Sequence, residues 1–400
     1  LLSKKENENM IKANVTIIGG GPSGLLLSQI LMNAGIETVI IEKHSKQHVL
    51  SRIRAGVLEQ GTVSLLDKAG VGKRVYEEGF RHDGTLISSE NKSFRISFRD
   101  TVRKNVTIFG QTEVTRDLYD AQENIDAKII HGVSDVQIID PLENNPEVVF
   151  YDENGLKKKI ISDFVVGCDG FHGVSRQSIP ANKKKEFERI YPFGWLGILS
   201  ETPPVSEELI YANTRDGFAL CSMRNESLSR YYIQCSLKTK AEDYSDNYFW
   251  QELRARLPEQ FKGSLVTGPS IEKSIAPLRS FVIEPLKYGQ LFLVGDAAHI
   301  VPPTGAKGLN LAFSDVFYLS NAFKLFYAGK GSVELENYSG KALSRIWKAV
   351  RFSWWMTTLM HEFPSDDPFD RKIKLSEIDY LEKSKYAQKV FSENYVGLPF

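Results

Sequence analysis

Residues 15–24 read Val-Thr-Ile-Ile-Gly-Gly-Gly-Pro-Ser-Gly, a strand-type run that passes directly into Gly19-x-Gly21-x-x-Gly24. Glycines at this spacing let a chain turn sharply out of a strand and bring backbone N–H groups against a pyrophosphate with no side chain between. Pro22 suits a first helical turn, helical spacing runs to Asn33, Gly35 stops it, and Thr38 to Ile41 reads as a second strand. The whole is a βαβ unit. Glu42 stands eighteen residues beyond Gly24, where a carboxylate accepts hydrogen bonds from an adenosine ribose. A bare glycine motif is an ordinary turn; with its strand, helix and acid in place it predicts dinucleotide binding, FAD and NAD alike.

At 400 residues the chain is long enough for two or three domains. Hydrophobic residues at 42% and charged residues at 25% exclude a disordered or fibrous chain, and 50 basic residues against 50 acidic ones leave no global pull towards nucleic acid. Cys168, Cys221 and Cys235 form no C-x-x-C pair, which argues against a disulfide framework or a metal site and for a reducing cytoplasm. Ala13 to Gly35 carries no charge, but three glycines and a proline in mid-run speak against a membrane span or an export signal. The first methionine is Met10, so residues 1–9 read as a disordered or non-native extension.

Leu58 to Ala69 and Glu113 to Asn124 have helical spacing, Phe94, Ile96 and Phe98 alternate, and Asp152 to Gly155 marks a hairpin. Between Tyr191 and Cys235 the segments GWLGILS, ELIYA, GFALCSM and RYYIQCS read as short antiparallel strands. A strand at Leu291 to Val294 leads into a Gly/Pro-rich loop and a helix from Gly308 to Phe326, and helical patterns continue over Val333 to Met360. The fold class is α/β (α+β), divided as 10–184 and 277–330 for a Rossmann-like FAD-binding domain, 185–276 for an antiparallel-sheet substrate domain, and 331–400 for a helical C-terminal part. Two further strand-to-loop corners stand out, GCDGFHGVSR (Gly167 to Arg176) and LFLVGDAAHIVPPTGAKGLNLA (Leu291 to Ala312). In the second, Asp296 can bond a ribityl hydroxyl, and the helix N-terminus with Lys307 beside it can stabilise an anionic reduced flavin.

Together GGGPSG, GCDGFHG and GDAAHIVPPTGAKGLN resemble the flavoprotein aromatic hydroxylases. RIRAGVLEQG (Arg52 to Gly61), GQTEVTRDL, YPFGWLG, RYYIQ, SIAPLRSF and ENYVGLP extend the likeness from Val15 to the C-terminus and bring it closest to members acting on 4-hydroxybenzoate. The resemblance implies an FAD enzyme that uses O2 and NADPH, or NADH, to form 3,4-dihydroxybenzoate through a flavin C4a-hydroperoxide. It also implies a homodimer through the helical C-terminal part, where Trp347, Phe352, Trp354 and Trp355 suit core or interface equally.

Residue by residue, the resemblance assigns the FAD contacts to Gly19, Gly21, Ser23, Gly24, Glu42, Arg52, Ile53, Arg54, Ala55, Gly56, Val57, Gln111, Asp296, Lys307, Leu309 and Asn310. It places a carboxylate clamp on Ser222, Arg224 and Tyr232, and a proton relay on Tyr211, Tyr395 and, at its solvent end, His82. Pro303 would accept from the substrate hydroxyl through its carbonyl, beside Thr304. Arg230 would support either the flavin or the sheet. Lys43, His44, Arg54, His172 and Arg279 match positions that meet the nicotinamide cofactor. Lys43, His44 and His48 stand where NADPH-specific members carry an Arg-Gln pair and a tyrosine, which leaves the choice of nucleotide open. Two other readings compete: a hydroxylase of a related aromatic acid, and a non-catalytic flavin-binding sensor. No nucleic acid, membrane or metal partner is expected.

Overall fold

The computed structural model describes residues 10–51, 56–90 and 92–400. Arg52, Ile53, Arg54 and Ala55, assigned above to FAD, and the 1–9 extension lie outside the described residues. The glycine motif opens a sheet whose parallel centre is built on Met10–Ile18, paired on one side with Thr38–Glu42 and on the other with Lys157–Gly167. Lys128–His131 extends it beyond Thr38–Glu42, and Leu291–Leu293 beyond Lys157–Gly167. Every residue of Thr38–Glu42 is buried, as a parallel strand covered on both faces requires. Helices Pro22–Met32, Gln111–Asn124 and Gly308–Leu325 pack together on this sheet. Between two of them the Ser28 hydroxyl donates to Gln122 Oε1 (2.7 Å) and the Gln122 amide to Gln29 Oε1 (2.7 Å).

The second sheet runs in the order His299–Ile300, Ser270–Glu284, Lys185–Ser200, Leu228–Cys235, Gly217–Asn225, Ile210–Thr214, Gly84–Ser89 and Lys92–Ser97. Its two faces follow from the two-residue period of a strand. Leu196, Ile198, Ile210, Ala219, Cys221, Tyr231 and Ile233 pack against Phe249, Trp250 and Leu253 of the Asp246–Arg256 helix. The alternate residues Trp195, Tyr211, Leu220, Ser222, Arg224, Arg230, Tyr232, Glu272 and Ser274 face a cavity instead.

One local expectation changes. The strand through Phe94 stops at Ser97, because the Ser97 hydroxyl accepts from the Asp100 N–H (3.1 Å) and caps a short helix, Phe98–Val102, so Phe98 starts that helix. The strands expected between Tyr191 and Cys235 pair antiparallel with one another. Ile210–Thr214 pairs in parallel with Gly84–Ser89, so a hairpin from the first hundred residues completes the sheet. Val333–Met360 forms one helix, followed by Pro368–Lys383 and Lys385–Tyr395. No helix among the described residues is long and apolar enough to cross a membrane.

Candidate active site

A cavity of about 1340 Å³ runs from the glycine turn to the second sheet. It exceeds the ~300–1,000 Å³ of a single drug-sized ligand site and accommodates a dinucleotide with a second, smaller molecule. At its first end the residues fit FAD. Gly19 has φ +112°, and a Cβ there would stand 2.3 Å from the Cys168 carbonyl oxygen; one on Gly24 would stand 2.1 Å from the Gly19 carbonyl oxygen. Only glycine keeps the backbone cradle open. Gly21, Ser23, Val57, Gln111, Asp296 and Leu309 line the cavity, and Gly56 lies behind Val57, where a Cβ would strike the Phe109 carbonyl at 1.7 Å. The Glu42 carboxylate accepts from the Gly20 N–H (2.7 Å) and the His44 N–H (2.8 Å), which fixes it at the cavity wall with lone pairs to spare for a ribose.

The side chains of two residues assigned to FAD are engaged within the protein. The Asn310 side chain is committed within the protein: its amide donates to the Val57 carbonyl (2.8 Å) and the Ala306 carbonyl (3.0 Å), and its Oδ1 accepts from the Glu59 N–H (2.9 Å) and the Thr62 hydroxyl (2.8 Å). Gly308, Leu309 and Asn310 line the cavity and form the first turn of this helix, whose backbone N–H groups have no partner inside the helix. Lys307 is likewise not an isolated cation. Its buried Nζ lies 2.7 Å from Glu59 Oε1 and donates to the Tyr395 carbonyl (2.7 Å), while Arg345 Nη2 holds Glu59 Oε2 at 3.0 Å. Burial lowers the Lys307 pKa and Glu59 opposes that shift, so the charge presented to the cavity belongs to all three groups.

At the second end, Arg224 Nη1 donates to the Ser222 hydroxyl (2.9 Å) and reaches the Met223 carbonyl (3.4 Å), with Tyr232 lining the same wall. Burial works against the Arg224 charge, Tyr232 favours it, and neighbouring Arg230 opposes it. Arg224 Nε has no hydrogen-bond partner among the described residues, as a donor awaiting an anion would. One strand over, Tyr211 pairs in register with Leu220, two residues from Ser222. Its hydroxyl is hydrogen-bonded to that of Tyr395 at 2.9 Å, and both side chains are 1% exposed. Burial pushes both phenols above their usual pKa. Pro303 lines the cavity between the two ends.

Other expected residues stand apart. Thr304 is buried and does not line the cavity; its hydroxyl accepts from Thr357 (2.9 Å), so it holds the Pro302–Gly305 loop to the long helix. His82 borders a separate surface pocket with Arg81, Asp83 and Glu208. Neither of its ring nitrogens has a hydrogen-bond partner among the described residues, and burial lowers its pKa to about 4. No link from His82 to Tyr395 is formed in this arrangement. Lys43, His44 and His172 lie along the cavity, His44 stacked on His48 with ring centroids 4.1 Å apart. Arg279 is held by Glu188 (3.1 Å) over the Phe171 ring.

Sequence reasoning passed over several contributors. Trp195 lines the substrate end and donates its indole N–H to His361 Nε2 (2.7 Å), whose ring stacks between Phe193 and Phe218. Burial drives the His361 pKa down to about 3, so it accepts as a neutral imidazole. Asp315 takes the Gly295 N–H (2.9 Å) and lies 2.6 Å from His299 Nε2, which fixes the corner carrying Asp296. The histidine in GDAAH was a visible signal for that pair. Nothing local marked Glu59, Arg345 or His361. The three tryptophans and one phenylalanine left open divide: Phe352 is core, Trp355 is partly buried, and Trp347 and Trp354 are exposed.

Residues 12–353 match the model of the FAD binding domain family. The chain is 54% identical over 391 residues to p-hydroxybenzoate hydroxylase of Acinetobacter baylyi, an alignment covering 98% of this chain and 96% of that one. It is 24% identical to 6-hydroxy-3-succinoylpyridine 3-monooxygenase of Pseudomonas putida, covering 90% and 92%. The crystal structure of p-nitrophenol 4-monooxygenase from Pseudomonas putida superposes with a TM-score of 0.81 at 18% identity, covering 98% of this chain and all of that one, which shows a common fold. The chain belongs to the FAD-dependent aromatic hydroxylases, flavoprotein monooxygenases that use NAD(P)H as co-substrate.

Proposed function

We propose that this enzyme hydroxylates 4-hydroxybenzoate at C3, giving 3,4-dihydroxybenzoate. The observation that carries this reading is one cavity face with Ser222, Arg224 and Tyr232 at one place and Tyr211, backed by Tyr395, at another, which matches an aromatic ring bearing a carboxylate opposite a phenol. The relative at 54% identity is named for the same substrate.

Arg224 holds the carboxylate, with Ser222 and Tyr232 fixing the guanidinium plane. The substrate phenol then reaches Tyr211, which accepts its proton as it passes its own to Tyr395. The Pro303 carbonyl accepts from the phenol hydroxyl before that transfer. A phenolate ring is far more nucleophilic than a phenol, so the relay prepares C3 for an electrophilic oxygen. FAD, once reduced by NAD(P)H, supplies that oxygen from O2. Gly19, Gly21, Ser23, Glu42, Gln111, Asp296 and the N–H groups at Gly308 to Asn310 hold it, and Lys43, His44, His172 and Arg279 meet the nicotinamide nucleotide. The solvent-side step falls to His82, which borders a surface pocket.

The boundaries 10–184, 185–276, 277–330 and 331–400 divide this work between FAD binding, substrate binding and a helical part. Phe369, Ile373 and Tyr380 form an exposed stripe on the Pro368–Lys383 helix (70%, 55% and 57% exposed), which suits a homodimer contact. Free thiols at Cys168, Cys221 and Cys235 suit the cytoplasm. The decisive experiment records NAD(P)H oxidation with and without 4-hydroxybenzoate and identifies the product by chromatography. Oxidation stimulated by the substrate with 3,4-dihydroxybenzoate as product supports the reading; stimulation without hydroxylated product overturns it.

A further inference from the structure

Trp195 walls the substrate end of the cavity while its single hydrogen-bond donor is spent behind that wall. Its ring packs on that of Tyr232 (centroids 5.1 Å apart) and on that of Phe218 (5.0 Å), which lies 6.3 Å from the ring of Tyr211. The indole thus joins the clamp side to the relay side. A buried indole N–H needs an acceptor, and Trp195 finds one in His361 Nε2 at 2.7 Å. On the other edge of that imidazole, Nδ1 lies 2.9 Å from the Thr357 carbonyl oxygen. A carbonyl only accepts, so the proton sits on Nδ1 and Nε2 keeps its lone pair for the indole.

His361 is itself held from several directions. Phe193 and Phe218 stack on its ring (4.7 and 4.3 Å), and Lys374 Nζ donates to its carbonyl (2.7 Å). The Asn213 amide donates to the carbonyls of Leu359 and Met360 (3.3 and 3.2 Å), which ties the strand of Tyr211 to the same turn. The Thr357 and Thr304 hydroxyls are 2.9 Å apart, so this turn also carries the loop of Pro303.

A 4-hydroxybenzoate held by its carboxylate and its phenol is fixed at the two ends of one axis, through C1 and C4. It can still roll about that axis. C3 lies off the axis and swings with the roll, so an aromatic wall has to set the angle at which C3 meets the oxygen donor. We infer that His361 is a positioning residue for this wall: as a fixed Nδ1–H tautomer it locks the Trp195 indole and thereby fixes the roll of the substrate ring. This inference rests on the substrate reading given above.

The test compares His361→Leu, which removes the acceptor, with His361→Gln, whose Oε1 can take the place of Nε2, and with Trp195→Phe. All are assayed as FAD-loaded enzymes for the 4-hydroxybenzoate dissociation constant and for product formed per NAD(P)H consumed. His361→Leu should keep the dissociation constant within about threefold, because clamp and relay are intact. Its product yield should fall by about threefold to tenfold, since small misplacements of reacting atoms are costly. His361→Gln should recover most of that yield. Trp195→Phe should lose yield as His361→Leu does, and the double variant should lose no more than the worse single one, whereas multiplying losses would mark His361 as merely structural and overturn the inference. Histidine 15N shifts of the wild type, with His361 assigned by its absence in His361→Gln, should show a protonated Nδ1 and a bare Nε2. Should His361→Leu lose its flavin, two results still overturn the inference: full yield in Trp195→Phe, or a proton on Nε2 in the wild type. A wild type that forms no 3,4-dihydroxybenzoate would remove the substrate reading and this inference with it, while full yield in His361→Leu beside a productive wild type would remove this inference alone.

Discussion

The hydroxyl oxygens of Tyr211 and Tyr395 are 2.9 Å apart although 184 residues separate them in the chain. One sits on a strand of the substrate sheet and the other ends the Lys385–Tyr395 helix, so the contact exists only when sheet and helix are packed. Tyr211→Phe should still bind 4-hydroxybenzoate within about threefold of the wild-type dissociation constant, since the clamp is intact. The phenol should then stay protonated and product per NAD(P)H consumed should fall by about tenfold or more. Tyr395→Phe should impair the same ratio. Product yield measured beside substrate affinity decides the matter, and full coupling in Tyr211→Phe would return that residue to plain packing.

Arg224→Lys should weaken 4-hydroxybenzoate binding by about one to two decades, because a charge-assisted hydrogen bond is worth roughly 1.5–3 kcal/mol and an ammonium cannot reproduce a planar two-donor grip. Flavin content should hardly change. Titration of the flavin spectrum reads both, and an unaltered dissociation constant would show that the clamp is misplaced.

A methyl group at Gly24 meets the Gly19 carbonyl oxygen at 2.1 Å, and that carbonyl belongs to the backbone. Overpacking of this kind costs about 1–3 kcal/mol, so Gly24→Ala should lower FAD affinity by about one to two decades. The flavin-to-protein absorbance ratio after dialysis checks it. Wild-type retention would argue that the turn can shift without harm.

Two buried histidines tie stability to pH. The His82 and His361 pKa values lie at about 4 and about 3 in the folded chain, below the usual 6.5, so the unfolded chain takes up protons that the folded one refuses. Their contribution is complete above about pH 6.5 and declines as pH falls towards 4, at up to about 1.4 kcal/mol per pH unit for each histidine. Calorimetric Tm against pH should therefore fall less steeply below pH 6.5 in His361→Gln than in the wild type. Parallel curves would show that another group controls acid unfolding.

The glycine turn, Glu42 and the Gly295-Asp296 corner were legible because their chemistry is local: each needs a particular residue within a few positions of a strand end. The alternating substrate strands were legible for the same reason. What escaped depends on contacts across the chain. Nothing local showed that the Asn310 amide is spent on Val57 and Ala306 and its carbonyl oxygen on Glu59 and Thr62. Nothing local tied Lys307 to Glu59 and, through it, to Arg345, which lie 248 and 38 residues from it in sequence. His82 shows the reverse, a residue matched by resemblance that this arrangement leaves without a hydrogen-bonded route to the relay.

The two-residue alternation of the substrate sheet has a consequence for how such an enzyme can change. Arg224 and Ser222 face the cavity, while Met223 and Cys221, their chain neighbours, do not line it. Exchanging a ligand-facing residue alters what is bound and leaves the opposite face untouched, so new specificities are reachable by single substitutions at little cost to folding. Inserting or deleting one residue within the Gly217–Asn225 strand would turn Met223 to the ligand and Arg224 towards apolar packing, destroying binding and stability in one step. Length changes must therefore enter at the turns, where Thr214–Gly217 and Asn225–Leu228 connect the strands.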